Sequence, residues 1–356
     1  MPRNIVHIIG TGTIGDPLIG ILAGRREKLG IDEVTFQPNV ESLRNKSLVK
    51  GLITRGAKLC VDEADVDAYT SAGLKVEYSV REAIERSGVV IDCSNEPDSG
   101  VRKLENYRRL NDGEKLFIVQ SRVGKFGKDY AFNINDDALQ PGEDKYLRVV
   151  SCNSQNMAAI LKTLIFDANH KSLLDWGRFL CIRRTNDISE EEDFVPSPQV
   201  GIHKDDHYGT YQARDAANLF KTIGTDLDLY CSSLKVNSQY LHILYFDLKL
   251  TEDISLQQVL NRLDSEPLIA LTNKRMASTV FSFIREMGYH SRILNQSIVC
   301  VPSLQVKDHK EISGFSFSPQ DGNSVMSSIA AALWQFYPKT YRNKMEQLND
   351  LVFKEV

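Results

Sequence analysis

The residues best suited to chemistry lie in the stretch Tyr146-Leu147-Arg148-Val149-Val150-Ser151-Cys152-Asn153-Ser154-Gln155-Asn156. An apolar, β-rich run ends in a polar cluster. Met157, Ile160, Leu161, Leu164 and Ile165 then recur at the three- and four-residue spacing of one helix face. Strand, turn and helix are therefore predicted in that order, with Cys152 at or near the helix start. Unpaired backbone N–H groups and the positive end of the helix dipole favour a thiolate there, the form of cysteine that attacks carbonyl carbon. Most free cysteines are buried and do no chemistry. Cys60, Cys93, Cys181, Cys231 and Cys300 lack the combination of strand end and polar surroundings, and the last three lie in apolar runs. Cys152 is the candidate nucleophile.

A thiol nucleophile needs a partner that handles protons. His242 stands in Tyr240-Leu241-His242-Ile243-Leu244-Tyr245-Phe246-Asp247-Leu248, where period-two counting puts it on one face with Leu244, Phe246 and Leu248. A histidine on such a face is commonly a hydrogen-bonded core residue, and its candidacy as general base depends on its standing near Cys152. Arg183 and Arg184 end another strand, Trp176 to Arg183. They read either as an anion clamp or as a surface ion pair with Asp187 or Glu190. His203 and His207 form the one close histidine pair, with Asp205 and Asp206 between them, but their spacing matches no metal motif and the six cysteines include no C-x-x-C. No metal is expected.

These groups need elements to hold them. Asn4 to Ile9 reads as a buried strand that runs into Gly10-Thr11-Gly12-Thr13-Ile14-Gly15, and Leu18, Ile19 and Leu22 continue as a helix. Strand before and helix after is the setting in which such glycines cradle a dinucleotide pyrophosphate, with Thr13 and Ile14 in the same loop. Asp16 suits the helix dipole but is a poor neighbour for phosphate. The next strand, Glu33 to Phe36, ends at Gln37-Pro38-Asn39 without the acid that holds ribose hydroxyls in strictly NAD-dependent enzymes, so NAD or NADP is expected. Arg44 and Lys46 read as partners of a 2′-phosphate or as a solvated loop. Strands at Leu74 to Tyr78, Val89 to Asp92 and Leu116 to Gln120, the last closed by Ser121, alternate with a helix at Val80 to Arg86. This predicts a Rossmann-like, doubly wound parallel sheet, with ligands at the carboxyl ends of its strands and Cys152 beside the nicotinamide.

After Cys152 the strands lengthen and alternate, as in Trp176 to Arg183 and Tyr240 to Leu250, with an acidic loop Ser189 to Asp193 between. An α+β catalytic domain with a mostly antiparallel sheet is expected. Leu256 to Leu263 reads as a helix and Ile298 to Val301 as a strand. Phe315 to Asn323 leads into an apolar helix, Val325 to Phe336, whose two faces should both be covered and which is expected to pack back on the first domain. The predicted division is 1–151 with 323–356 for the dinucleotide domain and 152–322 for the catalytic domain. A length of 356 residues suits two cores, and 42% hydrophobic with 25% charged residues is a globular composition. A net charge of −4 gives no nucleic-acid footprint. Ile5 to Ile9, interrupted by His7, is too short for a signal peptide or membrane span, so a cytoplasmic protein with reduced thiols is expected.

Taken together, these residues resemble the archaeal-type (type II) phosphorylating glyceraldehyde-3-phosphate dehydrogenases over nearly the whole chain. The glycine loop is similar to their cofactor loop, and Lys145-Tyr146-Leu147-Arg148-Val149-Val150-Ser151-Cys152-Asn153 resembles their active-site strand. Ile182-Arg183-Arg184, Val195-Pro196-Ser197-Pro198 and Leu241-His242 follow in the family's order. The resemblance implies Cys152 as nucleophile and His242 as base, with NAD or NADP as cofactor. It implies a phosphorylated aldehyde and inorganic phosphate as substrates, and a homotetramer. Cofactor contacts are expected from Gly10, Gly12, Thr13, Ile14, Gly15, Gln37 and Ser121, and by resemblance from Thr185 and Asn323. Substrate and phosphate contacts are expected from Ser151, Asn153, Ser154, Arg183, Arg184 and His207. The chain departs from the family in having Ser154-Gln155 where threonines follow the asparagine, and in separating His203 from His207. It also has Ser121-Arg122 where glycines are usual. A relative using another phosphorylated or carboxylated semialdehyde, and an inactive dinucleotide-binding regulator, are the alternative readings.

Overall fold

The computed structural model describes residues 4–38, 43, 45–94, 100–111, 113–120, 126–187, 194–319 and 321–356. Asn39, Arg44, Ser121, Arg122 and the acidic loop lie outside the described residues. The chain divides into two compact units. The first holds Met1–Phe132, Leu139–Val149 and Val325–Asn349, and the second Asn133–Ala138, Val150–Ser324 and Asp350–Val356.

The first unit is built on eight strands: β1 Ile5–Ile9, β2 Glu33–Gln37, β3 Lys58–Val61, β4 Val76–Ser79, β5 Val89–Asp92, β6 Leu116–Gln120, β7 Lys128–Tyr130 and β8 Tyr146–Val149. Their order is β4-β3-β2-β1-β5-β6-β8-β7, and every neighbouring pair is parallel. A parallel sheet is covered on both faces, which is why its central strands read as unbroken apolar runs. Val89, Val90 and Ile91 are fully buried, as are Leu116 to Val119. The expected strand at Leu74 begins only at Val76, because Leu74 N–H instead closes the preceding helix onto Tyr69 O. The chain winds outward from β1 to β4 and then returns beside β1 as β5. That reversal makes the carboxyl end of β1 the place where an open α/β sheet takes its ligand.

At that end Gly10 has φ +94° and donates its N–H to Gln37 O at 2.8 Å. A Cβ on Gly15, the first residue of the helix Gly15–Leu29, would overlap Gly10 O. The C-terminal helix Gly322–Phe336 is buried along nearly its whole length. Its serines serve the first unit's sheet: Phe132 N–H donates to Ser327 Oγ at 3.0 Å, and Gln120 Nε2 donates to Ser328 Oγ.

The second unit carries β9 Leu174–Arg183, β10 Gln199–Val200, β11 Leu229–Lys235, β12 Ile243–Leu250, β13 Ile269–Thr272, β14 Ser297–Lys307 and β15 Glu311–Phe317. They lie in the order β10-β11-β9-β12-β15-β14-β13. Only the β11–β9 and β13–β14 pairs are parallel, so the sheet is mixed and mostly antiparallel. Leu244, Phe246 and Leu248 alternate inward along β12. The helix Cys152–Leu164 buries even its polar start, Asn153 to Asn156. Among the described residues no helix is long and apolar enough to cross a membrane.

One buried group of the first unit makes stability depend on pH. His7 stands in the middle of β1, its Nδ1 2.8 Å from Thr35 Oγ1, and burial lowers its pKa to about 3 against the weaker opposing pull of Asp92. A histidine held neutral when folded but titrating near 6.5 when unfolded stabilises the fold above that value. The contribution is lost as pH falls toward the folded value, at most about 1.4 kcal/mol per pH unit. Urea titrations at pH 7, 6, 5 and 4 are expected to show a steeper acid loss in the native protein than in a His7→Leu variant; parallel curves would refute this.

Candidate active site

The expected strand, turn and helix form around Cys152. β8 ends at Val149, Ser151 caps the helix with an extended backbone (φ −62°, ψ 156°) and accepts Ser154 N–H on its Oγ, and Cys152 is the first helical residue. The polar side chains that follow need partners because they are enclosed. Asn153 Oδ1 accepts Ser318 Oγ–H at 2.8 Å, Asn156 Nδ2 donates to the same Ser318 Oγ at 3.0 Å, and Asn156 Oδ1 accepts Ser316 Oγ–H at 3.0 Å. Gln155 Nε2 donates to Val150 O at 2.8 Å. The helix start is thus laced to the end of β15.

Strand register brings His242 to the same place. Ile243 lies opposite Ile182 of β9 and Phe317 of β15, so the residue before it falls beside the outgoing ends of both strands. His242 immediately precedes β12 instead of lying within it. Its carbonyl accepts Ser318 N–H at 3.0 Å, and its ring Nδ1 accepts Arg184 N–H, also at 3.0 Å. Ser318 therefore bonds both to His242 and to Asn153, the neighbour of Cys152.

Charge is distributed unevenly around this cluster. Arg184 is buried at 6% exposure; its Nη2 donates to Asp187 and, at 3.2 Å, to Asp321, and its Nη1 reaches Tyr240 O at 3.4 Å. The ion-pair reading of Arg184 is the one observed, and with two carboxylates and a carbonyl already bound it is poorly placed to clamp a substrate anion. Arg183, half-buried at the end of β9, has no ion-pair or hydrogen-bond partner for its guanidinium among the described residues. Both arginines lower the pKa of Cys152, as does Asn153 N–H at its sulfur. Burial outweighs them, with the Asp321 carboxylate adding to its effect, and pushes the thiol up to about 12. The expected stabilised thiolate is thereby corrected: the helix N-terminus does donate to sulfur, but loss of solvent costs the anion more than those contacts return.

Other expected site residues are placed differently. Asn323 is fully buried and spends its amide hydrogens on Cys152 O at 2.8 Å and Gln296 O at 3.2 Å, while its Oδ1 accepts Ser324 N–H. It orients the backbone of the cysteine, with no donor left to meet a nicotinamide. Thr185 is buried and accepts Val195 N–H at 2.6 Å. Ser151 and Ser154 hydroxyls bond each other at 2.9 Å, and Ser154 is enclosed. His207 is exposed and packs edge-on against Tyr208, whose carbonyl accepts Cys231 N–H part-way along β11. His203 bonds Ser232 and Tyr230. Gly10 and Gly15 form the tight loop described above. The side chain of Gln37 ends β2 half-buried. Asp321, Ser316 and Ser318 were not among the expected site residues, although the alternation Phe315-Ser316-Phe317-Ser318 places two hydroxyls on one face.

No protein-family model matches the chain. It is similar to the glyceraldehyde-3-phosphate dehydrogenase of Metallosphaera sedula, 22% identical over 315 residues that cover 86% of this chain and 85% of that one. It is 25% identical over 317 residues to the same enzyme of Methanobrevibacter smithii, covering 85% of each chain. With glyceraldehyde-3-phosphate dehydrogenase 1 of Methanosarcina barkeri the identity is 21% over 340 residues, 93% of this chain and 92% of the relative.

If Asp321 helps hold the Cys152 thiol protonated, Asp321→Asn should lower the thiol pKa. Mass-spectrometric rates of iodoacetamide alkylation at Cys152 are expected to climb about tenfold per pH unit up to pH 9 in the native protein, without a plateau. They should be several-fold faster at each pH in the variant; an unchanged or slower rate would refute the assignment.

The low but near full-length identity to several archaeal enzymes, on a fold of one parallel sheet and one mostly antiparallel sheet, makes this chain similar to the archaeal glyceraldehyde-3-phosphate dehydrogenases.

Proposed function

We propose that this protein is an NAD(P)-dependent aldehyde dehydrogenase. It oxidises glyceraldehyde 3-phosphate, or a close phosphorylated aldehyde, to an acyl phosphate through a thioester on Cys152, and runs the reverse reduction. The observation that carries this reading is the bridge from His242 through Ser318 to Asn153. It ties the main chain at His242 to the first turn of the helix that Cys152 begins, although the two are distant in the chain. Covalent capture of an aldehyde needs that pairing, and either group alone is worth little.

The glycine loop suits a dinucleotide. Gly10 takes a left-handed backbone and the start of the Gly15 helix approaches it too closely for a side chain, the kind of tight glycine turn at a helix N-terminus that suits a pyrophosphate. When bound, a nicotinamide dinucleotide supplies the hydride acceptor. Gln37 at the end of β2 carries no charge to repel a 2′-phosphate. Lys46, which opens the helix Lys46–Thr54, has no ion-pair partner among the described residues, so both NAD and NADP are accepted.

Cys152 sulfur adds to the aldehyde carbon once its proton has left, and His242 faces the oxygen. Asn323 keeps the Cys152 peptide oriented, and Asn153 N–H supports charge on sulfur. Arg183, the arginine not committed to a carboxylate, holds the substrate phosphate. After hydride loss, inorganic phosphate attacks the thioester and releases the acyl phosphate with the sulfur free again.

Cys152→Ser is expected to reduce turnover of glyceraldehyde 3-phosphate with either cofactor by about a thousandfold or more while cofactor binding stays near native. The native enzyme should release a burst of one reduced cofactor per subunit when phosphate is withheld. Substantial turnover by the variant would remove the thioester mechanism. Arg183→Gln is expected to raise KM for the phosphorylated aldehyde about tenfold or more with little change for unphosphorylated glyceraldehyde; equal effects on both would remove Arg183 from phosphate binding.

A further inference from the structure

We propose that Arg184 is a positioning residue whose main-chain N–H fixes His242 as the neutral imidazole protonated on Nε2, its side chain being clamped between Asp187 and Asp321 to hold that N–H in place. The inference rests on the reading of Cys152 and His242 as the reacting pair, but its central measurement does not use activity.

An imidazole nitrogen that accepts a hydrogen bond does so through its lone pair and carries no proton. Arg184 N–H points at His242 Nδ1 from 3.0 Å. The ring proton is therefore on Nε2, and a second proton on Nδ1 would set two N–H groups against each other. As long as this bond lasts, His242 offers a donor at Nε2, which is the opposite of what a resting general base requires.

The bond is held firmly. The guanidinium of Arg184 sits between Asp187 and Asp321 and reaches back to Tyr240 O, two residues before the histidine. On either side the backbone is paired to the same neighbouring segment. Val236 N–H donates to Arg183 O and Thr185 N–H to Ser238 O, both at 2.8 Å. Gln239 Nε2 donates to Asn186 Oδ1 at 2.9 Å. Arg184 can neither swing toward a substrate nor let its peptide turn from the ring without breaking buried charge pairs, which is costly.

The chemistry then runs without a proton change at His242. The thiol first loses its proton to solvent. As the S–C bond forms, the carbonyl π pair moves onto oxygen, and the oxyanion is met by Nε2–H. With a nicotinamide dinucleotide bound as two-electron hydride acceptor, the oxygen pair would re-form the carbonyl and the aldehyde carbon would be left oxidised as the thioester. A neutral donor aimed at a developing oxyanion stabilises it with no reorganisation.

Nitrogen-15 NMR of the histidine-labelled, ligand-free protein at neutral pH, with His242 assigned by its loss in His242→Gln, tests this directly. The expected spectrum has His242 Nδ1 unprotonated and Nε2 protonated. A ring protonated on Nδ1, or on both nitrogens, would overturn the proposal even if Cys152→Ser shows the thioester mechanism to be right. Arg184→Gln should broaden the signals into a mixture of ring forms, and Asp187→Asn replaces it if that variant does not fold. Retention of the pure Nε2–H form in the variant would overturn the clamp. His242→Gln, which still carries a donor, should keep at least tenfold more kcat than His242→Ala; equal losses would overturn the donor role.

Discussion

The second unit of this protein depends on a register. β12 runs antiparallel to both β9 and β15, so the point where β12 begins is the point where the other two end. His242 at that beginning, Arg183 and Arg184 at the end of β9, and Ser318 with Asp321 beyond the end of β15 are brought together by backbone ladders alone. A shift of one residue in either pairing would turn these side chains to the other face of the sheet. The cysteine joins them because the helix that follows it buries its own polar start, and the amides of Asn153 and Asn156 find their partners in the hydroxyls of Ser316 and Ser318. Enclosure makes those bonds obligatory, since an enclosed amide without a partner costs about 1–3 kcal/mol.

Electrostatics divides two adjacent arginines into different tasks. Alternate residues of a strand point to opposite sides, and at the end of β9 this sends one guanidinium into a buried bridge between two carboxylates and leaves its neighbour without an ion-pair partner among the described residues. Asp321 serves Arg184 and at the same time disfavours the anion of Cys152, so the thiol rests protonated. The helix N-terminus lowers the cost of the thiolate without abolishing it. An aldehyde enzyme gains from such a setting, because a half-buried thiol that is not yet ionised is a poor target for adventitious oxidants, which react with thiolates.

Much of the framework is legible along the chain. The glycine loop between a buried strand and a helix whose first half is apolar and enclosed, the unbroken apolar strands of the first sheet, the alternation in β9 and β12, and the strand-turn-helix around Cys152 are local patterns, and local patterns survive in a linear string. Short pieces were not legible. β3 has four residues and no alternation, and β10 has two. The candidate nucleophile was readable because a polar cluster closing an apolar run is itself a local signal. The alternating serines before the last long helix carried a signal too, but its meaning depended on knowing what lay opposite.

The sequence by itself determined the two kinds of sheet, the glycine turn after the first strand and the helix start at Cys152, because each follows from periodicity or from the stereochemistry of glycine within a few residues. Tertiary structure alone decided which arginine is bound between two carboxylates and which ring nitrogen of His242 accepts the Arg184 N–H. It also decided that Asn323 supports the Cys152 peptide and that the thiol rests protonated. Those outcomes depend on desolvation and on partners between three and about 170 positions away, which only strand pairing and close packing bring within bonding distance.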